Sequence, residues 1–135
     1  MNPQQKAIAN CMQEFGATKE VATYVAAQAT LESGNFESNI FKENNNFMGM
    51  KEPNCRLTTA KGSNRNHAKY DTRTQCMQDY ILWLVYNGFT QNTLKDLDKF
   101  KVRLVNSGYC PAKDYIQRIE RIYEQIKETR KGETK

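Results

Sequence analysis

Apolar positions recur at helical spacing through most of the chain. Ile8, Cys11, Met12 and Phe15 form the first run. It opens at Asn2-Pro3, a capping side chain before a proline at the first helical position, and stops at Gly16. Val21, Tyr24, Val25, Gln28 and Leu31 trace the broad inward side of a second helix, with Thr18 as its cap. This helix ends at Glu32-Ser33-Gly34, where a glycine can take the left-handed conformation that terminates helices. Cys76, Met77, Tyr80, Ile81, Trp83, Leu84 and Asn87 wrap most of the circumference of a third helix, which Asp71-Thr72 caps and Gly88 stops. That wrap makes it the expected central helix. A fourth helix is expected from a Thr93 cap through Leu94, Leu97, Phe100, Leu104 and Val105 to Gly108. Pro111 is expected to open a fifth, with Tyr115, Ile116, Ile119, Ile122, Tyr123 and Ile126 at a clean 3-4 spacing.

Between the second and third helices the pattern changes. Residues 35–50 are polar and rich in asparagine, with room for one helical turn around Glu37-Ser38-Asn39-Ile40. Asn44-Asn45-Asn46 before Phe47-Met48-Gly49 suits a loop with unusual backbone dihedrals, which asparagine and glycine tolerate best. Arg56-Leu57-Thr58-Thr59-Ala60 and His67-Ala68-Lys69-Tyr70 flank a turn-rich link, predicting a small hairpin. The expected architecture is α+β, mainly α: about five helices and one hairpin in a single domain over 1–128, then a charged, frayed tail over 129–135.

Composition narrows the function classes. A chain of 135 residues with 39% hydrophobic and 26% charged positions is globular, and its mean hydropathy of -0.81 implies a small core under a polar surface. The net charge of +5 suits an anionic partner such as cell wall, nucleic acid or a membrane surface without choosing among them. Nucleic acid is not expected, because aromatic and basic residues do not interleave and no recognition helix is visible. No apolar run is long enough to span a membrane. Met1 to Lys6 lacks the apolar core of a signal peptide, so export by another route, release by lysis, carriage on a virion and cutting from a longer parent all stay open. Cys11, Cys55, Cys76 and Cys110 are scattered and the chain has one histidine, so no metal site, no cofactor and no disulfide is expected. Cys11 and Cys76 read as small buried hydrophobes.

The candidate chemistry begins at Glu32. Residues three, four and seven positions earlier are Ala29, Gln28 and Val25, so the acid shares a helix face with small and apolar side chains. It also stands at the negative end of its helix dipole. Partial desolvation and that dipole both favour the protonated form, which a general acid requires. Gln28-Ala29-Thr30-Leu31-Glu32-Ser33-Gly34-Asn35-Phe36, followed by Asn45-Asn46-Phe47-Met48-Gly49-Met50-Lys51, resembles the glucosaminidase domains of bacterial and phage peptidoglycan hydrolases. The resemblance continues through Leu57-Thr58-Thr59-Ala60, Ala68-Lys69-Tyr70, Asp79-Tyr80 and Ser107-Gly108-Tyr109 with Tyr115, covering about Thr18 to Tyr123.

The resemblance implies a lysozyme-like fold with a cleft between a helical lobe and a hairpin lobe. It implies an endo-β-N-acetylglucosaminidase acting on the glycan strands of peptidoglycan at the cell wall, as a monomer, with Glu32 as proton donor. Tyr109 matches a family tyrosine facing the active site, and Tyr70 is a similar candidate. Gln28, Asn46, Phe47, Met50, Thr59 and Asp71 are the candidate substrate-binding residues. In one respect the chain departs from the family: relatives often carry a second carboxylate on the hairpin, but no Asp or Glu lies between Pro53 and Tyr70. Glu52 and Asp71 stand at its feet and Glu43 precedes the asparagine loop. The expected mechanism therefore uses the substrate's 2-acetamido group, or a water held by side chains such as Tyr70 or Thr59. A muramidase or lytic transglycosylase of the same superfamily, and an inactive wall-binding or virion module, are the alternatives.

Overall fold

The computed structural model describes residues 1–111 and 113–133, with side chains described through Thr129. The chain is mainly helical: α1 Pro3–Phe15, α2 Lys19–Glu32, α3 Asn39–Asn44, α4 Arg73–Tyr86, α5 Gln91–Leu94, α6 Leu97–Asn106 and α7 Tyr115–Glu133, with a two-stranded antiparallel sheet of β1 Ser63–Asn64 and β2 His67–Ala68 between α3 and α4. The contacts divide into two compact units, one of residues 1–31 with 89–135 and one of residues 32–88.

Local chemistry sets the helix ends. Asn2 Oδ1 accepts from Gln5 N at 2.8 Å while Asn2 N donates to Gln5 Oε1 at 3.0 Å, a reciprocal cap before Pro3. Gly16 closes α1 in the left-handed region, with φ at 118°. Thr18 Oγ1 accepts from Val21 N at 3.3 Å at the start of α2, and Thr72 with Gln75 repeats the reciprocal cap on α4.

The first unit is built around α2. Every residue from Val21 to Thr30 is buried. Tyr24 lies edge-on to Phe100 and Tyr123, with ring centroids 6.1 and 5.9 Å apart, and Phe89 packs against Phe100 at 5.0 Å. Gln5 Nε2 donates to Thr30 Oγ1 at 2.9 Å, fastening α1 to α2. In the second unit α4, expected from its apolar wrap to be the buried helix, buries Cys76, Met77, Asp79, Tyr80 and Leu84. Val85 and Tyr86 of α4 are 58% and 57% exposed.

Two boundaries also differ from expectation. The stretch expected as a fourth helix is two, because the Thr93 hydroxyl bonds back to Thr90 O at 2.7 Å inside α5 and Asp96 caps α6 by accepting from Lys99 N. The last helix begins at Tyr115 rather than Pro111 and runs to Glu133.

In the second unit, the first strand is Ser63–Asn64 and not Arg56–Ala60. Ser63 faces Ala68 and Asn64 faces His67. The turn residues Arg65 and Asn66 are both left-handed, at φ 53° and 61°, as a two-residue hairpin of primed type requires. The Arg56–Ala60 stretch instead directs its polar side chains at α4. Arg56 Nη1 and Thr58 Oγ1 reach Asp79 at 2.6 and 2.7 Å, and Thr59 Oγ1 donates to Gln75 O.

Candidate active site

Helix α2 ends on Glu32, and Ser33 turns the chain away from it. The Ser33 hydroxyl accepts from Phe36 N at 2.9 Å, and the Ser33 carbonyl from Glu37 N and Ser38 N at 3.2 and 3.0 Å. Gly34, Asn35 and Phe36 are consecutively left-handed. For a bulky residue this is an uncommon conformation. Packing supports it: the buried Phe36 ring meets Phe41 edge-on at 5.5 Å, and the Arg73 guanidinium caps Phe41 from 4.5 Å.

The asparagine run then returns the chain to Glu32, and each of its three side chains is tied to backbone near β2. Asn44 Nδ2 donates to Asn64 O at 2.9 Å, and its Oδ1 accepts from Asn64 Nδ2 at 2.9 Å. Asn45, left-handed at φ 53°, donates to the carbonyls of Tyr70 and Asp71 at 3.0 and 3.1 Å. Asn46 donates to Met50 O and Ala68 O at 2.9 and 3.0 Å and accepts from Met48 N at 3.1 Å. Two backbone bonds complete the seam, from Tyr70 N to Asn44 O and from Ala68 N to Met50 O, each 2.9 Å. Asn46 is 1% exposed, so its amide holds the loop's own backbone.

What this clamp positions is Gly49. Its φ is 68°, and a methyl at its Cα would overlap the Glu32 carboxylate, lying 3.3 Å from the Cδ carbon. The main chain of the loop thus forms a wall directly against the acid, in space no side chain can share. Glu32 itself is half-buried. Phe47, Met48 and Met50 beside it are buried. Cys76 of α4 lies under the loop with Asn46 Oδ1 4.0 Å from its sulfur, and burial pushes its thiol up to about 12.

Around Asp79 is a group whose function the sequence had not indicated. This carboxylate is fully buried on α4. One oxygen takes Arg56 and Thr58, and the other accepts from the Tyr70 hydroxyl. The pair is deeply desolvated, with the Arg56 side chain 6% exposed. Burial first, and then the bond to Asp79, push the Tyr70 phenol up, so the ring stays neutral and serves as a strut. An acid on the same helical face as the buried Cys76 and Tyr80 was the available signal. Its partners lie 9 to 23 positions away and gave none.

The remaining candidates are less committed. Thr59 is half-buried and donates to Gln75 O. Asp71 is exposed, its N–H donating to Gln75 Oε1 at 3.0 Å. Glu52 is exposed, and Glu43 pairs with Arg65. In the first unit Gln28 is fully buried and donates to the Tyr115 hydroxyl at 3.1 Å, while Tyr109 stacks on Tyr115 with centroids 6.3 Å apart. Among the described residues no group of three His, Cys, Asp or Glu is placed to hold a metal ion, and no helix is long and apolar enough to cross a membrane.

A mainly helical α+β chain with a half-buried acid at a helix end, a polar loop closing on it and a small hairpin is lysozyme-like. The family follows from the sequence over nearly its whole length. Residues 6–128 match the Glucosaminidase family model, described as mannosyl-glycoprotein endo-beta-N-acetylglucosaminidase, and the chain belongs to that family of glycosidases. No curated protein and no solved structure matches at a significant level.

Proposed function

We propose that the chain is a peptidoglycan hydrolase that cuts the β-1,4 bond from N-acetylglucosamine to N-acetylmuramic acid, with Glu32 as general acid. The observation that carries this reading is the Gly49 backbone packed on the Glu32 carboxylate at the end of α2. Water is displaced from one side of the acid, and the helix C-terminus adds negative potential. Both are effects that favour the protonated form of a carboxyl group. The family description supports chemistry at N-acetylglucosamine, and the net charge of +5 suits an anionic wall.

Glu32 delivers its proton to the departing glycosidic oxygen as positive charge develops on the sugar ring. Among the described residues none of the acids the sequence offers is assigned to that charge: Glu52 and Asp71 are exposed, Glu43 pairs with Arg65, and Asp79 is engaged by Tyr70, Arg56 and Thr58. The substrate's own 2-acetamido oxygen bonds the anomeric carbon as the glycosidic oxygen leaves with the Glu32 proton; the Glu32 carboxylate then takes a proton from the water that attacks that carbon and opens the oxazoline so formed, leaving the sugar ring intact. A water accepted by Thr59 is the other route. Phe47 and Met50 shape the loop, Asn46 clamps it, and Tyr70 braces the hairpin. On the resemblance alone, Tyr109 is the hydroxyl that bonds the sugar.

The test is turbidity clearing of purified cell walls. Glu32→Gln loses about 10²–10⁴-fold in rate, whereas Glu52→Gln and Asp71→Asn keep turnover. Equal clearing by wild type and Glu32→Gln refutes the assignment, and no clearing by either leaves a binding module. Products ending in reducing N-acetylglucosamine fit the proposed linkage; 1,6-anhydro ends would make the chain a transglycosylase.

A further inference from the structure

Residues 56–69 carry four basic side chains that the proposed chemistry does not use, Arg56, Lys61, Arg65 and Lys69. The structure divides them into two kinds. Arg56 is neutralised by buried Asp79, and Arg65 forks onto Glu43. Lys61 and Lys69 are exposed and make no ion pair among the described residues. These two are also neighbours across the ladder. Lys61 N donates to Lys69 O at 2.7 Å, and Lys69 N donates to Gly62 O at 2.9 Å, so two residues of one strand oppose one of the other in a bulge. Like charges facing each other across paired strands are unfavourable.

We propose that Lys61 and Lys69 form an anion-binding surface that holds free carboxylates of the stem peptides on the glycan being cut. This rests on the peptidoglycan reading above. Carboxylate suits the site better than phosphate. Planar guanidinium forks are the groups that grip phosphate bidentately, and both arginines of this stretch are already occupied. What remains is two exposed ammonium groups, which match single charges on a flexible peptide. The peptide is attached to the N-acetylmuramic acid at the scissile bond, so its carboxylates travel with the substrate. The pair would then favour glycan that still bears peptides over bare or neutral chitin-type chains.

Binding is measured in the Glu32→Gln background, so that no cleavage intervenes, by co-sedimentation with teichoic-acid-free sacculi. Lys61→Gln/Lys69→Gln should bind about fivefold more weakly at low salt, the scale of two exposed charge contacts. The difference should vanish near ~1 M salt, where the screening length is about 3 Å. Affinity for neutral chitohexaose should not change. Lys42→Gln/Lys95→Gln, which removes the same two charges from exposed positions elsewhere, should bind sacculi as the parent does. Amidating the sacculus carboxylates should lower the parent to the level of the lysine double variant. An equal loss in the control variant reduces the effect to net charge and overturns the proposal. So does a difference that appears only on walls retaining teichoic acid, which would assign phosphate. A parent that binds no sacculi at all overturns both this inference and the peptidoglycan reading, whereas binding without any lysine effect overturns this inference alone.

Discussion

Gly49 separates the requirements of stability from those of function at the level of one atom. An alanine there pays twice, once for a left-handed backbone at φ 68° and once for overlap with the Glu32 carboxylate. The first cost is about 1 kcal/mol. The second is small for folding, since the colliding group is the far end of a flexible side chain and can swing aside. For the proposed catalysis the same swing misplaces the proposed proton donor, and a displacement of about 1 Å costs on the order of 10²-fold. Gly108→Ala supplies the matched reference, with φ 70° and open space around the added methyl. Chemical denaturation should show both variants destabilised alike, and wall clearing should collapse in Gly49→Ala only. Equal activity in the two would mean that the carboxylate is not held by the loop.

Helix α2 shows that burial is decided by neighbours as much as by a segment's own apolarity. Its Ala22, Ala26, Ala27 and Ala29 are fully buried although they contribute little hydrophobic area each. Small side chains let other elements approach from every side, a relation that one-dimensional periodicity does not carry. Helix α4, which its apolar wrap presents as the buried helix, leaves Val85 and Tyr86 in solvent. Caps were readable because both partners sit within four residues, as with Asn2 and Gln5 or Thr72 and Gln75. The first strand was misplaced for the opposite reason, since Arg56, Thr58 and Thr59 take partners on α4 that outweigh strand propensity. Inside α2, Tyr24 carries a buried hydroxyl that has no hydrogen-bond partner among the described residues, and burial pushes its phenol up. Tyr24→Phe deletes that oxygen while keeping the edge contacts to Phe100 and Tyr123 and the Lys101 ammonium 5.5 Å above the ring. The variant should be more stable by about 1 kcal/mol, since an unsatisfied buried group costs ~1–3 kcal/mol. A melting temperature lowered by several degrees would show that the hydroxyl is satisfied.

Over the whole molecule, the four thiols offer a graded report on how firmly each region is closed. Order and spacing pointed to Glu32 and the asparagine loop as neighbours, and Gly49 does lie against Glu32, but they did not show the clamp that holds the loop, because Asn46 meets Ala68 and Cys76 only in the fold. All four cysteines are free: Cys55 is exposed, Cys11 and Cys110 are half-buried, and Cys76 is buried. At pH 8 a thiol pushed up to about 12 holds about a thousandfold less thiolate than one at its ordinary value of 9.0, and thiolate is the species that alkylates. Iodoacetamide labelling followed by mass spectrometry should therefore modify Cys55 first, Cys11 and Cys110 more slowly, and Cys76 only on opening of the structure; in urea all four should react. Because Cys76 lies beneath the loop that carries Gly49, its native labelling rate measures how often that loop lifts away from α4. Asn46→Ala removes the amide that ties the loop to Met50 and Ala68, and should raise Cys76 labelling while leaving Cys55 unchanged. Cys76 reacting as fast as Cys55 in the native protein would mean that the wall against Glu32 is open in solution, and the shielding on which the acid depends would be lost with it.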